Sequence, residues 1–195
     1  MRRIALGLVI AVTALSVAHA QHKAAGAWIA DASGCRIWRE QARPALSVAW
    51  SGPCAHGRAA GKGVLEWYEA GRLEGRYEGE MRGGHYFGQG VYSWPNGDRY
   101  WGEIRSDRRD GRGFFLWANG DRYDGEWKGG RRDGYGVYLW ANGGRYEGAW
   151  KDDRAHGEGT YREADGNVYQ GNWVRGCFRD GDRRAWVGAD GSACK

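Results

Sequence analysis

Apolar and polar positions alternate through most of this chain, and the alternation restarts at a fixed interval. Tyr77, Tyr100, Tyr123, Tyr146 and Tyr169 stand 23 residues apart. Behind each comes Tyr-x-Gly-x-apolar, as in Tyr123, Gly125 and Trp127, a period of two that places these residues on one face of a strand. A second alternating run follows, Gly134, Gly136, Tyr138 and Trp140 in one unit and Gly111, Gly113, Phe115 and Trp117 in the unit before it. The same structural positions are held elsewhere by Gly79, Gly88, Gly90, Gly102, Gly148, Gly157, Gly159 and Gly171. No stretch beyond residue 20 has a helical period. A repeat of this size predicts stacked modules with two strands each, not one irregular globule.

Asn96-Gly97, Asn119-Gly120, Asn142-Gly143 and Asp165-Gly166 mark the turns, because these residues tolerate positive φ. An odd-numbered loop keeps Trp94 and Tyr100 on the same face, so the sequence predicts a three-residue connection with Gly97 left-handed. Glycines and rings of both strands then share that face. A ring lying across a strand glycine restores the buried area that glycine lacks. With 35 glycines, 12 tryptophans and 11 tyrosines in 195 residues, few aliphatic side chains are left and the rings must form the core. Each ring buries about 150 to 250 Å².

The ends differ from the middle. Residues 1–20 carry Arg2, Arg3, an apolar run from Ile4 to Val17 and Ala18-His19-Ala20, the layout of a secretory signal peptide cleaved near Ala20. The run is short for a membrane span, so export to the periplasm or outside the cell is expected. Residues 21–49 read as an N-terminal β cap with strands at Cys35–Trp38 and Leu46–Trp50 joined across Pro44. Residues 50–76 form a divergent first repeat in which Trp50-Ser51-Gly52 imitates the Tyr-x-Gly opening; residues 77–168 hold four regular repeats. Residues 169–195 form a degenerate last repeat and a C-terminal cap, where Asp180 and Asp182 replace the paired glycines. The four cysteines lie only at these ends, which favours Cys35 to Cys54 and Cys177 to Cys194 among three possible connectivities. The fold class is therefore all-β: an elongated antiparallel meander of stacked hairpins forming one twisted sheet with disulfide-stapled ends.

The stretch YDGEWKGGRRDGYGVYLWANGGRYEGAW, Tyr123 to Trp150, resembles tandem MORN repeats, and the likeness runs from about Trp50 to Trp173. The resemblance implies a β-hairpin per repeat and a surface used for binding or scaffolding. It implies no enzyme activity by itself. In some relatives the repeats are linked to membrane phospholipids, and in others they accompany a separate catalytic domain.

Charge and candidate chemistry refine this only slightly. Without Arg2 and Arg3 the formal charge falls from +5 to +3. Bases gather in the hairpin loops as Arg105, Arg108 and Arg109, then Lys128, Arg131 and Arg132, then Lys151 and Arg154, with Asp107, Asp110, Asp133, Asp152 and Asp153 among them. Stacking would align them as a border that either meets an anionic lipid or glycan or simply keeps the rim soluble. Nucleic acid is a poor partner for an exported chain of modest charge. His22, His56, His85 and His156 are scattered, and there is no Cys-x-x-Cys, so no metal or cofactor is expected. Glu78, Glu80, Glu103, Asp124, Glu126 and Glu147 recur in register on the face away from the rings and single out no catalytic pair. The sequence thus predicts a non-catalytic scaffold of the cell envelope that presents its sheet to a protein partner. Binding of an anionic phospholipid or envelope glycan is the alternative, and a wall-glycan hydrolase using Trp101 as a stacking platform is the remote one.

Overall fold

The computed structural model describes residues 26–189 and 191–194. The segment read as a signal peptide lies outside the described residues. Seventeen strands follow in chain order: β1 (Ala27–Ala30), β2 (Arg36–Arg39), β3 (Leu46–Trp50), β4 (Cys54–Ala55), β5 (Arg58–Ala59), β6 (Gly61–Glu69), β7 (Arg72–Arg82), β8 (His85–Ser93), β9 (Arg99–Arg105), β10 (Arg108–Leu116), β11 (Arg122–Lys128), β12 (Arg131–Leu139), β13 (Arg145–Lys151), β14 (Arg154–Arg162), β15 (Val168–Val174), β16 (Cys177–Asp180) and β17 (Arg183–Trp186). A short 3-10 turn spans Gly191–Cys194. Thirteen strands form one antiparallel sheet, from β17 in unbroken reverse order to β6 and then β3. The four remaining strands make a small sheet ordered β1, β2, β5, β4. The two strands expected in the N-terminal cap therefore part company, β2 joining the small sheet and β3 becoming the edge of the large one.

The register explains why the repeat needs both glycines and rings. Gly79, Gly90, Gly102, Gly113, Gly125, Gly136, Gly148, Gly159 and Gly171 pair one with the next across nine consecutive strands. Tyr77, Tyr92, Tyr100, Phe115, Tyr123, Tyr138, Tyr146, Tyr161 and Tyr169 form the neighbouring row in the same way. A bare furrow of backbone thus runs beside a ridge of aromatics, and the rings fold into it. A Cβ on Gly125 would stand 2.6 Å from the Tyr123 hydroxyl oxygen, and one on Gly136 would stand 2.5 Å from Tyr123 Cζ. Tyr77, Tyr100 and Tyr146 cover Gly90, Gly113 and Gly159 likewise, and Trp50 covers Gly52 and Gly63 in the divergent unit. In the drifted last unit this contact is lost, because a Cβ on Gly171 would meet Phe178 instead.

The hydroxyls end where the sheet leaves acceptors. Tyr77, Tyr100, Tyr123 and Tyr146 donate to the carbonyls of Glu80, Glu103, Glu126 and Ala149 at 2.8 to 3.0 Å. Burial raises their pKa values, that of Tyr77 to about 12. The indoles of Trp127, Trp150 and Trp173 donate to Gly113, Gly136 and Gly159. Edge-to-face contacts carry the packing on, with Tyr123 5.1 Å from Trp127 and 5.5 Å from Trp150. Each such pair is worth about 0.5 to 1.5 kcal/mol beyond area burial.

Two kinds of turn alternate. Around Asn96-Gly97, Trp94 N–H donates to Asp98 O and Gly97 N–H to Trp94 O, a three-residue loop with Gly97 at φ +101°. The odd loop expected from parity is the one present. Asp98 and Asp121 then reach forward to the Ala118 and Ala141 amides, each at 2.8 Å, tying one repeat to the next. Partial burial opposes ionisation of Asp121, but the Ala141 amide and the Tyr138 hydroxyl outweigh it and hold its carboxyl below the usual carboxylate range.

At the opposite border the tips are two-residue turns with positive φ at both positions: Gly83-Gly84, Ser106-Asp107, Gly129-Gly130, Asp152-Asp153 and Arg175-Gly176. The second tip residue docks on the previous repeat, as in Gly130 N–H to Arg109 O at 2.8 Å and Asp153 N–H to Arg132 O at 3.0 Å. Both ends of the array imitate this bond. Gly84 N–H donates to Ala59 O of the small sheet, and at the far end Gly176 N–H donates to Ala155 O at 2.7 Å. Ser106 has φ +48° where two sister tips carry glycine. Ser106→Gly removes about 1 to 2 kcal/mol of left-handed strain against about 0.5 to 1 kcal/mol of added unfolded-state entropy. A rise in Tm of about 2 to 4 °C, read by thermal unfolding, is the expected result. The bridges Cys35–Cys54 and Cys177–Cys194 staple the two ends.

Candidate binding face

Every position that the repeat buries lies on one face of the large sheet, and that face is the candidate site. Its half-buried upper row consists of Trp94, Trp117 and Trp140, one per hairpin, alternating with Tyr92, Phe115 and Tyr138 at centroid distances of 4.3 to 5.5 Å. Two strands per hairpin space these tryptophans about 10 Å apart. Trp127, Trp150 and Trp173 spend their indole N–H groups on glycine carbonyls. The N–H groups of Trp94, Trp117 and Trp140 have no acceptor among the described residues.

Toward the N-terminal end the face hollows into a cavity of about 530 Å³. Tyr92, Trp94, Phe115 and Trp117 line it together with Arg39, Arg109 and Arg132. Arg39 arrives from the cap on β2 and sits 4.9 Å over the Trp67 ring. Burial works against its charge, and Tyr92 and Tyr86 beside it more than compensate, so its pKa is raised. Tyr86 accepts a hydrogen bond from Trp67 Nε1 at 2.5 Å.

Arg109 and Arg132 are not on the rim where the loop reading placed them. Arg109 lies 4.1 Å over Trp127 and Arg132 4.3 Å over Trp150. Each guanidinium also donates to the carbonyl of the next tip, Arg109 to Gly130 at 2.8 Å and Arg132 to Asp153 at 3.0 Å. They are cationic staples between repeats. In the caps, backbone N–H groups of Trp38 and Val187 bond the equivalent carbonyls of Gly84 and Gly176. Burial, with Arg132 nearby, lowers the pKa of Arg109. The period of two, extended back from Gly113 to Arg109, was the signal for this orientation.

The other bases do form the rim, and most are neutralised there. Arg105 pairs with Asp110 at 3.8 Å, Arg108 with Glu40 at 3.5 Å, Arg131 with Asp152 at 3.1 Å and Lys151 with Asp133 at 2.9 Å. Lys128 and Arg154 are exposed without an ion pair among the described residues. Of the glycines, Gly111 and Gly134 differ from their partners. Both have φ +112° at a β-bulge, and a Cβ there would meet the carboxylates of Glu103 and Glu126 and no ring. Those carboxylates accept the Arg112 and Tyr135 amides just past the bulge. So the repeated glutamates serve the bulge. Among the described residues no group of three metal-ligating side chains converges.

No curated protein matches the chain. The MORN repeat model matches residues 77–99, 100–122, 123–145 and 146–168, whose boundaries fall on the buried tyrosines. MORN repeats are binding or scaffold modules. With the divergent unit before them built on the same ring-over-glycine contact, residues 77–168 of this chain are four consecutive MORN repeats.

Proposed function

We propose that the protein is a non-catalytic scaffold of the cell envelope that holds a protein partner on its ring face. The observation that carries this reading is the row of Trp94, Trp117 and Trp140, half-buried and with unclaimed indole N–H groups, beside the cavity edged by Arg39, Arg109 and Arg132. Tryptophan and arginine dominate binding energy at protein interfaces because they combine large apolar area with a polar tip. The two disulfides fit an oxidising compartment outside the cytosol.

The rim supports this choice by contrast. Surface basic residues attract an anionic membrane at about 1 kcal/mol each, and acids already answer most of the ones here. A photo-crosslinking residue placed at Trp117 is expected to give one protein adduct of defined mass in the native envelope. The same residue at Val137, on the opposite face, is expected to give none. Adducts arising only from Val137, or only with lipid from both positions, would sink the reading.

A further inference from the structure

At the C-terminal end, on the face away from the rings, lies a second concave site of about 670 Å³. Arg154, Arg175 and Arg179 converge on it around Asn172, with the Cys177–Cys194 bridge in its wall. Among the described residues no carboxylate lines it. This sets it apart from the rim, where arginines meet acids at 3.1 to 3.8 Å. It also differs from the ring-face cavity, whose lining includes Asp98, Asp107 and Asp153.

Each arginine is placed by a different element. Arg154 opens β14. Arg175 is the first residue of a two-residue turn at φ +52°, held by its amide on His156 Nδ1 at 3.4 Å and by Gly176 N–H on Ala155 O at 2.7 Å. Arg179 projects from β16 and uses one N–H on Cys194 O at 2.7 Å. The disulfide closes the wall that carries this carbonyl. Glu158 pairs with Asn172 in the ladder but stays out of the lining. Arg154 and Arg175 have no ion pair among the described residues. Three forked cations and one amide donor, with no competing carboxylate among the described lining residues, match a tetrahedral oxyanion that accepts from several directions at once.

We propose that this hollow is a binding site for a phosphate-type anion, either free or as the monoester headgroup of a larger molecule. It is independent of the ring face. Calorimetric titration of the disulfide-intact protein with inorganic phosphate at low salt is expected to show one saturable site. Arg154→Gln and Arg175→Gln are each expected to weaken it about tenfold or more, the effect of losing one charge-assisted hydrogen bond. Arg131→Gln, on the acid-paired rim, is expected to leave it unchanged. Sedimentation with vesicles of phosphatidic acid in phosphatidylcholine separates the sources. Pelleting that Arg154→Gln abolishes assigns the site to a headgroup, and phosphate binding without pelleting assigns it to a soluble anion. Absence of saturable phosphate binding, or equal binding by the rim and pocket variants, overturns the proposal. Trp117→Ala, which tests the ring face, is expected to leave phosphate binding intact.

Discussion

Gly136→Ala is expected to destabilise the protein by about 3 kcal/mol or more and to lower Tm by about 6 to 12 °C. The added methyl has nowhere to go, since Cζ of Tyr123 would lie 2.5 Å from it. Tyr123 cannot yield cheaply. It is 0% exposed, its hydroxyl is bonded to Glu126 O at 3.0 Å, and Trp127 and Trp150 hold its ring from both sides. Displacing it would open the centre of two ring contacts and orphan a donor at once. Gly129→Ala separates this steric effect from backbone strain, because Gly129 has φ +56° and nothing within 4 Å of its absent Cβ. That variant should lose only about 1 to 2 kcal/mol. Combining Gly136→Ala with Tyr123→Leu should cost less than the sum of the two single changes by about 1 kcal/mol or more. Thermal unfolding in which Gly136→Ala behaves like Gly129→Ala, with additive doubles, would refute the ring-on-glycine account.

That contact was legible in the sequence because alternation is a strict signal. Gly113, Phe115, Tyr123 and Gly125 fall on one face by counting alone, provided the loop between their strands is odd, and Asn119-Gly120 supplies the left-handed residue the odd loop needs. The end bridges were legible for a similar reason, as cysteines occur only outside the regular units. The tips were harder. Ser106-Asp107 and Asp152-Asp153 adopt positive φ without any glycine to announce it, held by docking on the preceding repeat. The bulge at Gly111 and Gly134 was hidden as well, because it adds residues to one strand in a place where sequence parity is blind. As for the site, its tryptophan row was visible as periodic aromatics, but its cavity was not. Arg39 reaches it from the cap, on a strand with no sequence tie to the repeat it covers.

The rings also fix the response to alkali. Tyr77, Tyr100, Tyr123 and Tyr146 are at most 1% exposed, and burial raises all four pKa values above the ordinary phenol value. A raised folded pKa favours the neutral ring, so the stability this confers is complete below the unfolded pKa near 10. Above it the unfolded chain releases protons that the folded chain retains. Each tyrosine then removes about 1.4 kcal/mol of stability per pH unit, and four together remove about 5 to 6. The window extends from about pH 10 to the folded values, which for Tyr77 is about 12. Domain stabilities of about 5 to 15 kcal/mol are consumed within one to two units of such a slope. The protein should therefore unfold cooperatively between about pH 11 and 12, with tyrosinate absorbance and the far-ultraviolet sheet signal changing together. Tyr123→Phe should make the transition shallower by one proton. Gradual tyrosinate absorbance centred near pH 10, with the sheet signal intact, would mean that the rings are not sealed in the furrow. The repeat would then have to be held together by something other than its tyrosines.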